Sequence, residues 1–492
     1  MVTDMVFSSN VFLLYFLPIF LALYFLTPYK FRNYTLLTAS VFFYAYGAPE
    51  FIIQFILSII ANFFLVNWMC KTENPVLKKI YCAISITISL GLLFYFKYGN
   101  FTMNNVNFLL SFTELAQLEW TKILLPIGIS FFSFQSVTYT LDTYRNVNQP
   151  MKNIADYALY ITMFPQLIAG PIIRYCDIAD QIRERQYLMT DRLQGFYRFT
   201  LGLCKKILIA DVIGFYVDSV LGPSNYDVLT SGQLADIAER IATIDCTTAW
   251  VTIFAFTFQI YFDFSGYSDM AIGLGRMLGF KFPENFDNPY VAISISEFWR
   301  RWHQTLSVFI KHYLYFPLGG SRVPEGRKYF NLWFCFLCSG LWHGASWNFV
   351  VYGALQGIFI CADKLFLVKF WEKVGNWAAH IFTFLIIVLT RCFFRIEQID
   401  LSWMYLKRLF SFDFTPFHFS DNPHVYVTMI IAAIFSFITL TPWGLRLQNW
   451  VYFTDYNKKQ HICVFIVAVL AFAICIAALN TTGFSPFIYF RF

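Results

Sequence analysis

A histidine stands at position 343 among aromatic and small residues, in the run Leu341-Trp342-His343-Gly344-Ala345-Ser346-Trp347-Asn348-Phe349. Imidazole ionises at about 6.5, so it can take up and return a proton near neutral pH. One chemistry that needs such a group is acyl transfer, in which the base removes the proton of an acceptor hydroxyl as its oxygen attacks a thioester carbonyl. The surrounding stretch is strongly apolar, and an ionisable group placed in a membrane is costly enough to be read first as functional. The bland alternative is a structural histidine hydrogen-bonded between helices. Gly344, Ala345 and Ser346 are small enough to let a second helix or a substrate approach. Trp342 and Asn348 flank the histidine as candidate donor or substrate contacts.

A second histidine lies in Glu297-Phe298-Trp299-Arg300-Arg301-Trp302-His303-Gln304-Thr305-Leu306-Ser307. On a continuous helix Trp299, His303 and Ser307 would share one face, with Lys311 a turn further on. His303 is a candidate to orient His343 or to bind substrate. Arg300 and Arg301, with Trp299, are candidates for contacting the phosphates of an acyl donor or the carboxylates of an acidic sugar. An interfacial positive cluster is the plainer reading of the two arginines. In Tyr261-Phe262-Asp263-Phe264-Ser265-Gly266-Tyr267-Ser268-Asp269, two carboxylates six residues apart would diverge on one helix. Asp263 and Asp269 are therefore not an evident acid/base dyad. They are kept as donor- or substrate-binding candidates, while capping or pairing with a base such as Arg276 or Arg300 accounts for them more simply, and Gly266 is a place where the helix can break.

The remaining histidines, His312, His380, His418, His424 and His461, fall near basic turns, ends of apolar runs or loops. No phosphate-binding glycine loop, G-x-S-x-G elbow or H-E-x-x-H is present. Cys335 and Cys338 form a C-x-x-C, but no second pair or nearby histidine completes a zinc set, so no metal is expected. The other cysteines sit largely in apolar stretches, as small buried side chains do.

The elements that must position these groups follow from composition. The 492 residues are 58% hydrophobic and 13% charged, against about a quarter charged in soluble domains. A soluble globular protein is excluded. A span needs roughly twenty mostly apolar residues, and runs of this kind recur at 11–26, 33–47, 51–69, 80–96, 123–141, 247–262, 330–360, 378–394, 426–442 and 462–479. With an amphipathic helix over 193–220, interrupted at Lys205-Lys206, about eleven full spans are expected. The first run lacks a basic leader and follows Asp4, so it reads as a retained helix rather than a cleaved signal. The net charge of +6 comes from short loops between apolar runs, which fits positive-inside topology rather than nucleic-acid binding. Lys30, Arg32, Lys71, Lys78 and Lys79 place their loops inside and the N-terminus and Ala48-Pro49-Glu50 outside. Residues 154–173, broken by Pro165 and Gly170-Pro171 and followed by five arginines, are expected to be re-entrant or interfacial. Polar and charged residues mixed with aromatics over 263–329 mark the expected solvent-accessible cavity.

These stretches together resemble the membrane-bound O-acyltransferase family, in particular its bacterial alginate O-acetyltransferase-like branch. The resemblance is carried by Leu125-Pro126-Ile127-Gly128-Ile129-Ser130-Phe131-Phe132, by Met163-Phe164-Pro165-Gln166-Leu167-Ile168-Ala169-Gly170-Pro171-Ile172, by Phe262 to Ala271, by Trp299 to Leu306 and by Leu341 to Phe349. It reaches from Val6-Phe7-Ser8-Ser9 to Phe487-Ile488-Tyr489-Phe490. It implies an all-α, polytopic integral membrane protein of about eleven transmembrane helices plus re-entrant helices, forming a funnel around a buried histidine site. It also implies one membrane domain over 1–492: N-terminal helices over 1–100, a core with the polar cavity over 120–360, and C-terminal helices over 361–492.

By the same resemblance His343 matches the family's essential histidine and His303 a second polar position of the site. The implied setting is the bacterial cytoplasmic (inner) membrane. An acetyl group passes from a cytoplasmic thioester, acetyl-CoA, toward an exported polysaccharide, with a periplasmic SGNH-like acetyltransferase as partner and no bound cofactor. The motifs do not name the polymer. D-alanyl transfer to teichoic acid ranks second, and lipid or protein acylation third. From a different class, a transporter or channel would use the same histidines and arginines to line a path, and a scaffold would only recruit a soluble acetyltransferase.

Overall fold

The computed structural model describes residues 5–113, 115–223, 225–226, 229–416, 418–419, 421–482 and 487–488. Asp4, Tyr489 and Phe490 lie outside them. Among the described residues every regular element is helical, with no strand. Lipid explains this, because a helix satisfies its backbone polar groups within the segment itself. Among the described residues six helices are long and apolar enough to cross a membrane: Pro49–Lys71, Pro75–Leu110, Trp347–Val374, Asn376–Arg395, Pro423–Leu440 and Lys458–Thr481. A seventh counts if the bent pair Ser231–Thr243 and Cys246–Met277 is one span. The chain is a multi-pass membrane protein, and the expected count of about eleven is not reached on length and composition.

The shortfall has local causes. The run at 123–141 is helical only over Ile129–Tyr144, because Pro126 and a left-handed Gly128 precede it. The run at 330–360 is two helices, Glu325–His343 and Trp347–Ala362. The stretch at 154–173, expected to be re-entrant or interfacial and not counted as a span, forms helices Ile154–Thr162 and Phe164–Leu167, each too short to cross. At 193–220 the helix Met189–Cys204 gives way to a π-helical segment, Lys205–Asp211, where the two lysines were expected to interrupt it. Cys246–Met277 runs unbroken through Gly266, so the break anticipated there does not occur.

The chain groups into two compact units. The first comprises Met1–Phe199, Ser268–Pro283 and Leu479–Pro486. Its core gathers aromatic rings around Phe164, which meets Phe7, Phe12, Phe16, Phe20 and Phe43 within 6.2 Å centroid to centroid. Two motifs of the resemblance touch here. Gly128 has φ +75°, and a Cβ on it would stand 2.5 Å from the Leu167 carbonyl oxygen, so the residue must be glycine for both reasons.

The second unit comprises Thr200–Tyr267, Glu284–Ala478 and Phe487–Phe492. Its backbone is the hairpin of helices Glu325–His343 and Trp347–Ala362, which pack against each other at Gly340 and Gly353. A Cβ on Gly353 would lie 2.6 Å from the Phe336 carbonyl oxygen, and one on Gly340 would overlap that of Phe349. Small residues are what allow such an approach between membrane helices. Gly340→Val is expected to force the pair apart at a cost of about 1–3 kcal/mol, the usual penalty of overpacking. Thermal melting of the detergent-solubilised protein checks this, and an unchanged transition would contradict the packing account.

Candidate active site

His343 is not inside a helix, as the apolar run suggested, but is the last residue of Glu325–His343. The helix stops because Gly344 is extended and Ser346 opens the next helix at its N-terminus. His343 is therefore the C-terminal residue of its helix. The ring is 1% exposed. Its neighbours are Trp342 at 5.0 Å, Phe394 at 5.2 Å and Tyr352 at 6.3 Å between ring centroids.

His303 also breaks the element expected to carry it. The chain forms two seven-residue helices, Ile295–Arg301 and Gln304–Ile310. His303 sits between them at φ +46°, a left-handed conformation uncommon outside glycine, though histidine takes it more readily than most residues. The shared face of Trp299, His303, Ser307 and Lys311 consequently does not exist. Strained backbone of this kind persists only where its surroundings enforce it, and it clusters at functional sites. Here Asn285 does the enforcing. Its carbonyl oxygen accepts from the Gln304-bearing segment's side chains, His303 Nδ1 at 3.0 Å and Thr305 Oγ1 at 2.9 Å, while its backbone carbonyl accepts from Gln304 N at 3.0 Å.

That hydrogen bond selects a tautomer. With Nδ1–H donating to the amide oxygen, Nε2 keeps its lone pair, and among the described residues it has no hydrogen-bond partner. The ring is fully buried, edge-on to Phe264 at 4.7 Å and 5.6 Å from the Trp342 ring. Trp342 therefore contacts both histidines. The expectation of open solvent around this segment does not describe these two rings.

His303 lies outside the span candidates, and burial pulls its imidazole down from 6.5 to about 3. Between those values an unfolded chain binds the extra proton, so stability rises with pH across the window and is lost as pH falls from 6.5 toward 3. The melting temperature is expected to drop as the buffer is taken from pH 7 to pH 4.5. His303→Asn should flatten that drop, since asparagine tolerates the left-handed backbone and carries no titrating ring. Parallel pH profiles for the two proteins would rule this out.

The other predicted residues fall into two groups. Trp299 is buried and donates from Nε1 to Gln356 Oε1 at 3.0 Å, and its ring packs on Phe336. Asn348 donates to the Ile396 carbonyl and, at 2.5 Å, to Ser402 Oγ, tying together chain segments that lie about fifty residues beyond it in sequence. Asp263 pairs with Lys206 at 2.8 Å and accepts from Ile488 N, while Asp269 pairs with Arg198 at 2.7 Å. Pairing with a base is thus the arrangement of both carboxylates, with partners other than Arg276 and Arg300. Arg276 goes to Asp191. Arg301 is held by Glu297 and Asp287, and Arg300 is exposed. Of the nine predicted positions, the ring contacts unite His343, His303 and Trp342.

Three neighbours were not predicted. Tyr352 and Phe394 look like ordinary core aromatics in the sequence. Asn285 carries no local signal because its partner is eighteen residues away.

Buried imidazoles enclosed by aromatic rings, in a chain of membrane-crossing helices, are a candidate site for proton-coupled group transfer. A model of the membrane-bound O-acyltransferase family matches residues 124–394, which include both histidines. Over 526 aligned residues the chain is 35% identical to "Probable alginate O-acetylase AlgI" of Azotobacter vinelandii, covering 99% of this chain and all of that one. It is 34% identical to the peptidoglycan O-acetyltransferase of Helicobacter pylori, over 82% of this chain and 79% of the relative. Similarity to the teichoic acid D-alanyltransferase of Bacillus subtilis is 23%, over 51% of this chain and 61% of that one. The chain belongs to the membrane-bound O-acyltransferase family, and it is an O-acyltransferase.

Proposed function

We propose that this enzyme acetylates the hydroxyls of an exported bacterial polysaccharide, taking the acetyl group from a cytoplasmic thioester, acetyl-CoA. It works in the cytoplasmic membrane and hands the group to a periplasmic SGNH-like acetyltransferase partner. The observation that carries the reading is the pair of buried histidines sharing Trp342, in a chain similar end to end to relatives named for O-acetylation of alginate and, over most of its length, of peptidoglycan.

In this reading His343 is the general base. It takes the proton of the acceptor hydroxyl as that oxygen forms a bond to the thioester carbonyl carbon, and the carbonyl π pair moves onto its oxygen. When that pair returns, the carbon–sulfur bond breaks, and the thiolate leaves with the proton carried by His343. An ester and a free thiol result. His303 accepts a hydrogen bond at Nε2 from the hydroxyl or the donor, which its fixed tautomer and missing protein partner suit. Aromatic walls exclude water that would otherwise hydrolyse the thioester.

D-alanyl transfer is the second reading, supported by the weaker and shorter similarity to the teichoic acid enzyme. Alkali-released acetate and D-alanine, measured on separated wall and surface polymers of a deletion strain and its complemented parent, test the proposal. Loss of acetate from a polysaccharide is expected. Loss of D-alanine instead would replace the reading with the second one, and loss of neither would overturn it.

A further inference from the structure

The helix Asn376–Arg395 is apolar enough to span a membrane, yet it carries Arg391 with only 1% of its surface exposed. Among the described residues no carboxylate pairs with it. Nη1 donates to the Tyr352 hydroxyl at 3.2 Å and the Tyr290 hydroxyl lies within interaction range of the guanidinium, while among the described residues Nε and Nη2 have no hydrogen-bond partner. A buried guanidinium without a counter-ion opposes folding unless something repays its lost hydration. Part of that comes from π faces. The guanidinium carbon lies 4.4 Å from the Trp302 ring centre and 5.4 Å from that of Phe394. Two of its donor nitrogens are still left open.

The side chains around the guanidinium also border the histidines. Tyr352 and Phe394, which hold Arg391, are ring neighbours of His343. Trp302, on which it stacks, immediately precedes His303. The only fixed cation among these contacts thus stands beside the first neighbours of both histidines. Any acyl donor must bring its carbonyl to the histidines, whereas the phosphates of a coenzyme-type donor lie a whole pantetheine arm away from the thioester. A closed aromatic environment is also where a fixed donor acts most strongly on charge that develops during reaction.

We propose that Arg391 is a catalytic residue that stabilises the oxyanion. Its free N–H groups donate to the acyl carbonyl oxygen as the π pair moves onto it during hydroxyl attack, and release it when the pair returns and the carbon–sulfur bond breaks. This rests on the acyl-transfer reading of His343 given above. No proton is exchanged with the guanidinium, so the atom balance of the reaction is unchanged.

The test compares Arg391→Met, Arg391→Lys, His343→Gln and wild type in producing cells at matched membrane levels. Radiolabelled acetate is fed, and the initial rate of alkali-labile label on polysaccharide is read, alongside melting of each purified protein. Arg391→Met is expected to lower labelling by about 10²–10³-fold, the usual effect of losing one oxyanion donor. Its melting temperature should be unchanged or raised, because an uncompensated charge has been removed, and Arg391→Lys should restore part of the rate. Labelling by Arg391→Met within about threefold of wild type, beside a dead His343→Gln, would overturn this inference alone. Loss of labelling that tracks lowered melting in both arginine variants would also overturn it, by showing a structural residue. Full labelling by His343→Gln would instead bring down the acyl-transfer reading itself.

Discussion

His343→Gln is expected to remove acyl transfer, lowering the rate by at least the roughly 10²–10⁴-fold that general base catalysis supplies. Glutamine keeps a hydrogen-bonding side chain of similar reach at the end of helix Glu325–His343, so the packing against Trp342 and Phe394 is perturbed little. What it cannot do is accept a proton at neutral pH. The substitution therefore separates chemistry from folding. The initial rate of labelled acetate appearing as alkali-labile ester on polysaccharide, at matched membrane levels of the two proteins, reads the effect. A variant within tenfold of wild type would mean that His343 is a structural histidine and that the base lies elsewhere.

His303→Ala is expected to be nearly as severe, falling by about 10²–10³-fold, within the range for one acid–base group. Alanine deletes the free Nε2 and leaves Asn285 without the side-chain donor at His303 Nδ1. It also opens a void against Phe264 and Trp342, so the melting temperature should fall too, and activity and stability would be confounded. His303→Asn separates them. It accepts the φ +46° backbone and can donate to Asn285, yet it presents no ring nitrogen to the site. Activity in His303→Asn near that of wild type would reduce His303 to a residue that shapes the turn. Persistent loss of activity in a well-folded His303→Asn protein assigns the role to Nε2.

Much of this was legible from composition and period. Apolar runs placed most helices within a few residues, because a lipid-facing segment has to be continuous and apolar. The lysine interruption at 205–206 coincides with a π-helical stretch, and there Asp211 and Asp263 supply Lys206 with the carboxylates that a buried cation needs. The misses share a cause as well. Trp302-His303 and Gly344-Ala345-Ser346 sit in sequences that continue a helical pattern, and the breaks there come from tertiary partners, Asn285 in one case and the packed glycine hairpin in the other. Periodicity cannot see either. Arg391 was visible in principle, as a lone cation in the run at 378–394, and the rule that an intramembrane charge is functional until shown otherwise would have flagged it. Arg300 and Arg301 drew attention instead as cations that could contact donor phosphates or sugar carboxylates, though one is exposed and the other is tied to Glu297 and Asp287.

In the proposed reaction this membrane enzyme places acetyl esters on an exported polysaccharide through His343. The most direct test is the ester-linked acetyl content of each separated surface and wall polysaccharide, determined by proton NMR before and after alkali, in cells carrying wild type or His343→Gln at equal inserted amounts. One polysaccharide is expected to lose its acetyl signals in the variant while the others keep theirs; acetylation of every polymer at the wild-type level would exclude this role for His343.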